Sequence, residues 1–143
     1  MNRRVYIVHG FEGNPHGNWF DWLCAQIKST GAQAISLAMP NPDKPSTTAW
    51  QFTLDQHIGK PDAHTFLVGH SLGCITLLHF LNRQQPQKIG GLLLAAGFAD
   101  TLPPLPALDA YIKAASPDFD ILRKIDMPKH CLVSDNDTHV PPE

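Results

Sequence analysis

Gly69-His70-Ser71-Leu72-Gly73 sets a serine between two glycines, each two residues away. A G-x-S-x-G pentapeptide on a strand-to-helix turn exposes the serine hydroxyl for attack on an acyl carbonyl. The glycines stand where a Cβ would clash with so tight a turn. A helix opening at Leu72 would favour developing negative charge and aim the Leu72 N–H at it. The bland alternative is an ordinary strand–turn–helix with a small residue at the bend. His9-Gly10-Phe11 offers the second donor such chemistry needs, a backbone N–H just past a strand. Phe11 is the first choice for it and Glu12 the second. A carboxylate should follow the serine in the chain, to hold a histidine in the right tautomer. Asp135-Asn136-Asp137 supplies it. Asp137 is preferred because Asp135 can simply cap the loop, and a solvated Asp/Asn turn is the alternative for both. The chemistry is covalent acyl transfer and needs neither metal nor organic cofactor. The eight histidines show no spacing that suggests metal ligation.

These residues need elements to carry them. Arg4–His9, Gln33–Leu37, Thr65–Gly69, Ile89–Ala95 and Lys129–Ser134 read as strands. Several are apolar almost throughout, as strands buried on both faces of a parallel sheet are. Helical patterns lie between them. Trp19, Trp22, Leu23 and Ile27 share one face of a helix that stops near Gly31. By that spacing the aromatic set Trp19, Phe20 and Trp22 belongs to the core. Thr47–Ile58 is a second helix. Leu72–Arg83 is a third, with Leu72, Ile75, Leu78 and His79 on one stripe. Ala107–Ala115 and Phe119–Lys124 follow. Strand and helix alternate, which predicts a doubly wound, mainly parallel α/β sheet with right-handed crossovers. Ligands bind beyond the carboxyl ends of such strands. His9-Gly10-Phe11, Ser71, Ala96-Gly97-Phe98 and Asp135-Asn136-Asp137 all fall there. Phe98, Leu102 and Leu105 follow the fourth strand; they form an apolar substrate pocket or only pack a loop pinned by Pro103 and Pro104.

Composition narrows the partners. The chain has 143 residues, 43 % hydrophobic and 17 % charged, enough for the core of one domain and too apolar for disorder. A formal net charge of -2 provides no polyanion-binding surface, so nucleic acid is not an expected partner. Cys24, Cys74 and Cys131 cannot all pair and form no CxxC, which points to a reducing, cytoplasmic setting. The N-terminal apolar run is too short for a signal peptide. No stretch reaches the roughly 18 apolar residues of a membrane span.

Blocks of the sequence, in order, resemble a known family. They are Val5-Tyr6-Ile7-Val8-His9-Gly10-Phe11, Asn18-Trp19-Phe20-Asp21-Trp22-Leu23, Met39-Pro40-Asn41-Pro42, Gly69-His70-Ser71-Leu72-Gly73-Cys74, Ala96-Gly97-Phe98-Ala99, and Ser134-Asp135-Asn136-Asp137 with Val140-Pro141. The chain resembles the small α/β-hydrolases grouped with the retinoblastoma-binding serine hydrolase and its YdeN-like bacterial relatives. The resemblance implies a compact, single-domain α/β-hydrolase fold over residues 1–143, with five strands and without the family's last one. It implies Ser71 as nucleophile, Asp137 as acid, and esterase-type hydrolysis of a small acyl ester or amide. The family's retinoblastoma-binding motif, Leu-x-Cys-x-Glu, is not met: Leu72-Gly73-Cys74-Ile75-Thr76 lacks the glutamate, so that partner is not expected. In the family a helix, a strand and a Gly-His loop follow Val-Pro, about 30 residues or more. Here Val140-Pro141 is followed by Pro142 and Glu143. The resemblance therefore places the triad histidine outside these residues. His139 and His9 are the substitutes to examine, or a histidine from a second copy. Without the last strand, the edge carrying Cys131, Leu132 and Val133 lies open and predicts a homodimer or poor solubility. Two functions follow: a serine esterase, or a catalytically inactive relative acting as a binding module.

Overall fold

The computed structural model describes residues 2–98 and 105–133. Along it run β1 (Arg4–Val8), α1 (Phe20–Ser29), β2 (Gln33–Leu37), α2 (Thr47–His57), β3 (Thr65–His70), α3 (Leu72–Gln84) and β4 (Gly91–Ala95). A 3-10 turn (Pro106–Leu108), α4 (Asp109–Ala114), α5 (Phe119–Arg123) and β5 (Lys129–Leu132) complete it. The five strands are parallel, in the order β2-β1-β3-β4-β5. This is the expected doubly wound α/β architecture. The helix expected at Ala107–Ala115 divides into the 3-10 turn, begun by Pro106, and α4.

β1 reads Arg-Val-Tyr-Ile-Val and lies inside the sheet. Its residues favour extended backbone and its side chains are buried on both faces. Val5 and Ile7 meet Phe20 and Val68 beneath α1. Tyr6 and Val8 join the larger cluster on the other face, with Trp50, Leu54, Leu67 and Ile75. α1 turns Phe20, Leu23, Cys24 and Ile27 to the sheet, a spacing of three, four and seven residues. Trp22 lies off that stripe and is 64 % exposed, so the core expected of all three aromatics excludes it. Trp19 packs edgewise on Phe20, ring centroids 4.9 Å apart. Gly31 takes φ +91° just beyond α1, the left-handed stop that its position suggests.

α3 is buried nearly all round rather than along one stripe. It lies against β3 and β1 on one side and against α2 and α5 on the other. Its buried Thr76 is fully engaged. The Thr76 hydroxyl donates to the Leu72 carbonyl at 2.8 Å and shares a 2.6 Å hydrogen bond with the Tyr111 hydroxyl. Gln51 Nε2 donates to the Thr76 carbonyl, and Gln51 Oε1 accepts from Arg83, whose guanidinium also grips Asp55. These bonds satisfy polar groups that burial would otherwise penalise.

β5 is the open edge strand expected of Cys131, Leu132 and Val133. It pairs with β4 alone, and all four of its residues are exposed. Leu132 is 57 % and Val133 63 % exposed. Among the described residues the outer edge of β5 has no strand beside it. Such an edge pairs readily with another chain. We expect the light-scattering mass of the 143-residue protein to rise with concentration, and Leu132→Lys to return it to the monomer. A concentration-independent monomeric mass in the unsubstituted protein would remove that expectation.

Candidate active site

The strand order sets the location. β1 has β2 on one side and β3 on the other, so the chain winds away from it in both directions. The crevice where such a sheet changes direction lies beyond the carboxyl ends of β1 and β3. Gly10 follows β1 there and Ser71 follows β3.

Ser71 is the joint between β3 and α3. Its N–H still donates to the Ala95 carbonyl at 2.9 Å, continuing the ladder to β4. Its φ of 55° and ψ of -120° then break the strand and start the helix. Positive φ at a residue with a Cβ costs about 1–3 kcal/mol and is held only by surrounding structure. That structure is glycine. A Cβ on Gly73 would land on the Val8 carbonyl oxygen, and one on Gly69 would stand 2.9 Å from the Cα of Cys74. A Cβ on Gly10 would stand 2.9 Å from the Cβ of Ser71 and 3.2 Å from the Leu72 nitrogen. The first turn of α3 thus rests directly on the ends of β1 and β3.

Phe11 and Leu72 each offer an N–H group at this junction. Among the described residues neither Phe11 N–H nor Leu72 N–H has a backbone acceptor, whereas Ser71, Cys74, Glu12 and Gly13 all do. Phe11 and Leu72 are the pair expected from the sequence, and the close approach of Gly10 to Ser71 brings their loops together. The alternative donor Glu12 is already committed to the Pro42 carbonyl at 2.8 Å.

His9 explains how this loop is held. Its ring is buried. Nδ1 lies 2.9 Å from the Gly10 carbonyl oxygen, and the Met39 N–H reaches Nε2 at 3.0 Å. A carbonyl only accepts and a backbone N–H only donates, so the proton is on Nδ1 and the ring is neutral. Burial, only partly offset by the bond to Gly10, holds its pKa below the usual histidine value. Gly13 N–H also donates to the Gly10 carbonyl. The Gly10 carbonyl and the Phe11 N–H belong to one planar trans peptide and point opposite ways. Pinning the carbonyl therefore aims the N–H. His9 has no ring nitrogen left to act as base toward Ser71, which removes it as a substitute for the triad histidine.

The neighbouring residues add detail. The ring of His70 packs edgewise against Trp19 and Phe20, at 5.7 and 5.8 Å. Cys74 is buried and its thiol donates to the Ala95 carbonyl at 3.4 Å, the same oxygen that receives Ser71 N–H. Burial pushes that thiol up to about 12, so it stays protonated. Ala96 takes φ 52° just past β4 and Glu12 takes φ 56° past β1. Strained backbone thus gathers at the carboxyl ends of three adjacent strands. Cys74 and Ala96 stand in blocks that carry the family resemblance, but neither had a role expected of it. The one available signal was that both border the Ser71 and Gly97 turns. Phe98 is half-buried against the main core. Asp137, Asp135, Asn136, His139 and Leu102 lie outside the described residues. Among the described residues no group of three or more His, Cys, Asp or Glu side chains could hold a metal ion. No helix among them is long and apolar enough to cross a membrane.

Two expectations test this geometry. Gly73→Ala should cost about 3 kcal/mol or more in urea unfolding, because the Val8 backbone cannot yield. His9→Gln should cost about 1–3 kcal/mol through the buried partners it leaves unpaired. With a lowered folded pKa, the unfolded state binds more protons, so the stability due to neutral His9 is complete above pH 6.5 or so and lost as pH falls below it. His79, held low by burial and by Arg83, adds the same sign. The slope of stability against pH below that point should therefore shrink in His9→Gln without vanishing; an unchanged slope would contradict the neutral ring.

Comparison with known proteins accords with this geometry. The Serine hydrolase family profile matches residues 5–143. YdeN of Bacillus subtilis (strain 168) is 37 % identical over 144 residues, covering 99 % of this chain and 74 % of YdeN. The crystal structure of the B. subtilis ydeN gene product superposes with a TM-score of 0.92 at 35 % identity, covering 99 % of this chain and 76 % of that one. Est1E from Butyrivibrio proteoclasticus shares the fold, with a TM-score of 0.70 at 14 % identity over 99 % of this chain and 70 % of its own. A nearly whole-chain match to the profile and to YdeN, joined to a serine on a glycine-bounded turn beside unspent N–H groups, has one reading: the chain belongs to the Serine hydrolase family, within the α/β-hydrolase fold.

Proposed function

We propose that the protein hydrolyses small acyl esters, with Ser71 as nucleophile on a nucleophile elbow. The observation that carries this reading is the pairing of a strained, glycine-supported Ser71 with unspent N–H groups at Leu72 and Phe11. The Ser71 hydroxyl attacks the ester carbonyl and loses its proton to a general base. The carbonyl oxygen becomes an oxyanion that Leu72 and Phe11 hold. Collapse expels the alcohol, which takes the proton from that base, and leaves an acyl ester on Ser71. Water repeats the sequence and frees the acid. Asp137, in the family's acid position, orients the base histidine, which the family carries on a Gly-His loop. Ester carbonyls suit this site because its fixed donors need no metal to polarise them. A reducing cytoplasmic setting accords with three cysteines that are all free.

The test is the intact mass of the protein before and after a fluorophosphonate, with Ser71→Ala alongside. A single adduct in the wild type and none in the variant is expected. Folded wild-type protein that stays unmodified would overturn the catalytic reading in favour of a binding module. An adduct that survives in Ser71→Ala would move the nucleophile elsewhere.

A further inference from the structure

Beside the elbow lies a cavity of about 260 Å³. Cys74, Leu78, Leu94, Phe98, Phe119 and Val133 line it, with Gly97 and Cys131 completing the wall. None of these side chains carries a charge or an amide. Leu94 and Cys131 are register partners on β4 and β5, so they face the same side of the sheet. Cys74 and Leu78 are four residues apart on one stripe of α3, and the Cys74 N–H donates to the Ser71 carbonyl at 3.0 Å. The cavity therefore runs down the helix from the turn that carries the serine. Its other wall is tied to the same turn. Ala95 accepts from both Ser71 and Cys74, and Gly97, two residues on, passes so close that a Cβ there would meet the Cys74 sulfur at 3.2 Å. A side chain at position 97 would close the cavity toward Cys74, so glycine keeps it open.

We propose that this cavity receives the acyl chain of the substrate, and that the chain is uncharged, apolar and about eight carbons long. The inference rests on Ser71 being the nucleophile and names the substrate class that the site would take. Volume sets the length: a cavity of about 150 Å³ holds a benzene, so this one holds roughly eight to ten non-hydrogen atoms. Chemistry sets the class, since a charged or amide-bearing chain would lose its hydration with nothing here to replace it. Phe98, expected from the sequence in a substrate pocket, is part of the wall.

Two measurements separate this proposal from the reading beneath it. The first needs no chemistry at Ser71. Cys131 is exposed and borders the cavity, whereas Cys74 is buried. Alkylation of Cys131 by a maleimide is followed by peptide mass, at protein concentrations too low for the β5 edge to associate. Octanol should slow it several-fold in the wild type and not in Val133→Trp, where an indole fills the cavity from its exposed rim. No protection in the wild type overturns the proposal, as does equal protection in Val133→Trp. The second uses alkyl fluorophosphonates of two to twelve carbons. The rate of Ser71 labelling should rise about fourfold per added methylene up to about eight carbons and then fall. Val133→Trp should flatten the rise and keep the ethyl rate. A flat profile with Ser71 labelled overturns the cavity assignment and leaves the nucleophile standing. No labelling by any probe overturns the nucleophile, and the substrate assignment falls with it.

Discussion

The structure depends on a contact with no side chain in it. The first turn of α3 lies on the carbonyl ends of β1 and β3, and Gly69 and Gly73 are what allow it. Were the helix held off by one methyl group, Ser71 would lose the support for its left-handed backbone, and its N–H would part from Ala95. Gly10 meets the same turn from the β1 side. The serine, the two open donors and the start of the cavity all sit around this junction. Strain at Ser71, Ala96 and Glu12 is spread over three neighbouring strand ends, so the cost is borne by the whole sheet rather than by one loop.

His9 shows how a core residue sets the geometry of a surface site. It makes no contact that a substrate could use. Its two bonds connect the loop after β1 to the segment after β2, through Gly10 on one side and Met39 on the other. Trp50 stacks edgewise on the same ring at 5.6 Å and donates to the Pro40 carbonyl. Two loops and α2 are therefore fixed to one neutral imidazole. A charged ring would have to give up the Met39 N–H, and the loop carrying Phe11 would lose its brace.

Much of this was legible in the sequence, for physical reasons that can be named. The strands showed because parallel strands inside a sheet are apolar on both faces, as Val5–Val8 and Leu67–Val68 are. The serine turn showed because its glycines are sterically obligatory. Trp22 misled because it lies three residues from Trp19, while the helix begins at Phe20 and takes its buried stripe from there. α3 misled in the other direction. One stripe was expected, yet the polar Thr76 also lies inside, where Tyr111 and Gln51, both distant in sequence, satisfy it. β5 read as an open edge only through the family's strand order, because nothing local tells an apolar strand whether it lies within a sheet or at its edge. Cys74 and Ala96 stand in recognisable blocks, but their roles arise from tertiary neighbours.

The position of β1 also governs how the chain reaches this state. β1 is made first and pairs with β2 early, Arg4 beside Gln33, but its second neighbour is β3, with Arg4 beside Thr65. At ribosomal rates of about 5–20 residues per second, that partner follows β1 by several seconds. Through that interval one side of Val5–Val8 waits with its backbone unpaired and its apolar side chains uncovered. Contacts so distant in sequence also slow refolding of the completed chain. Nascent protein of this topology is thus a natural client for chaperones, and its yield in a cell should depend on how quickly the ribosome delivers the segment that ends in the serine turn.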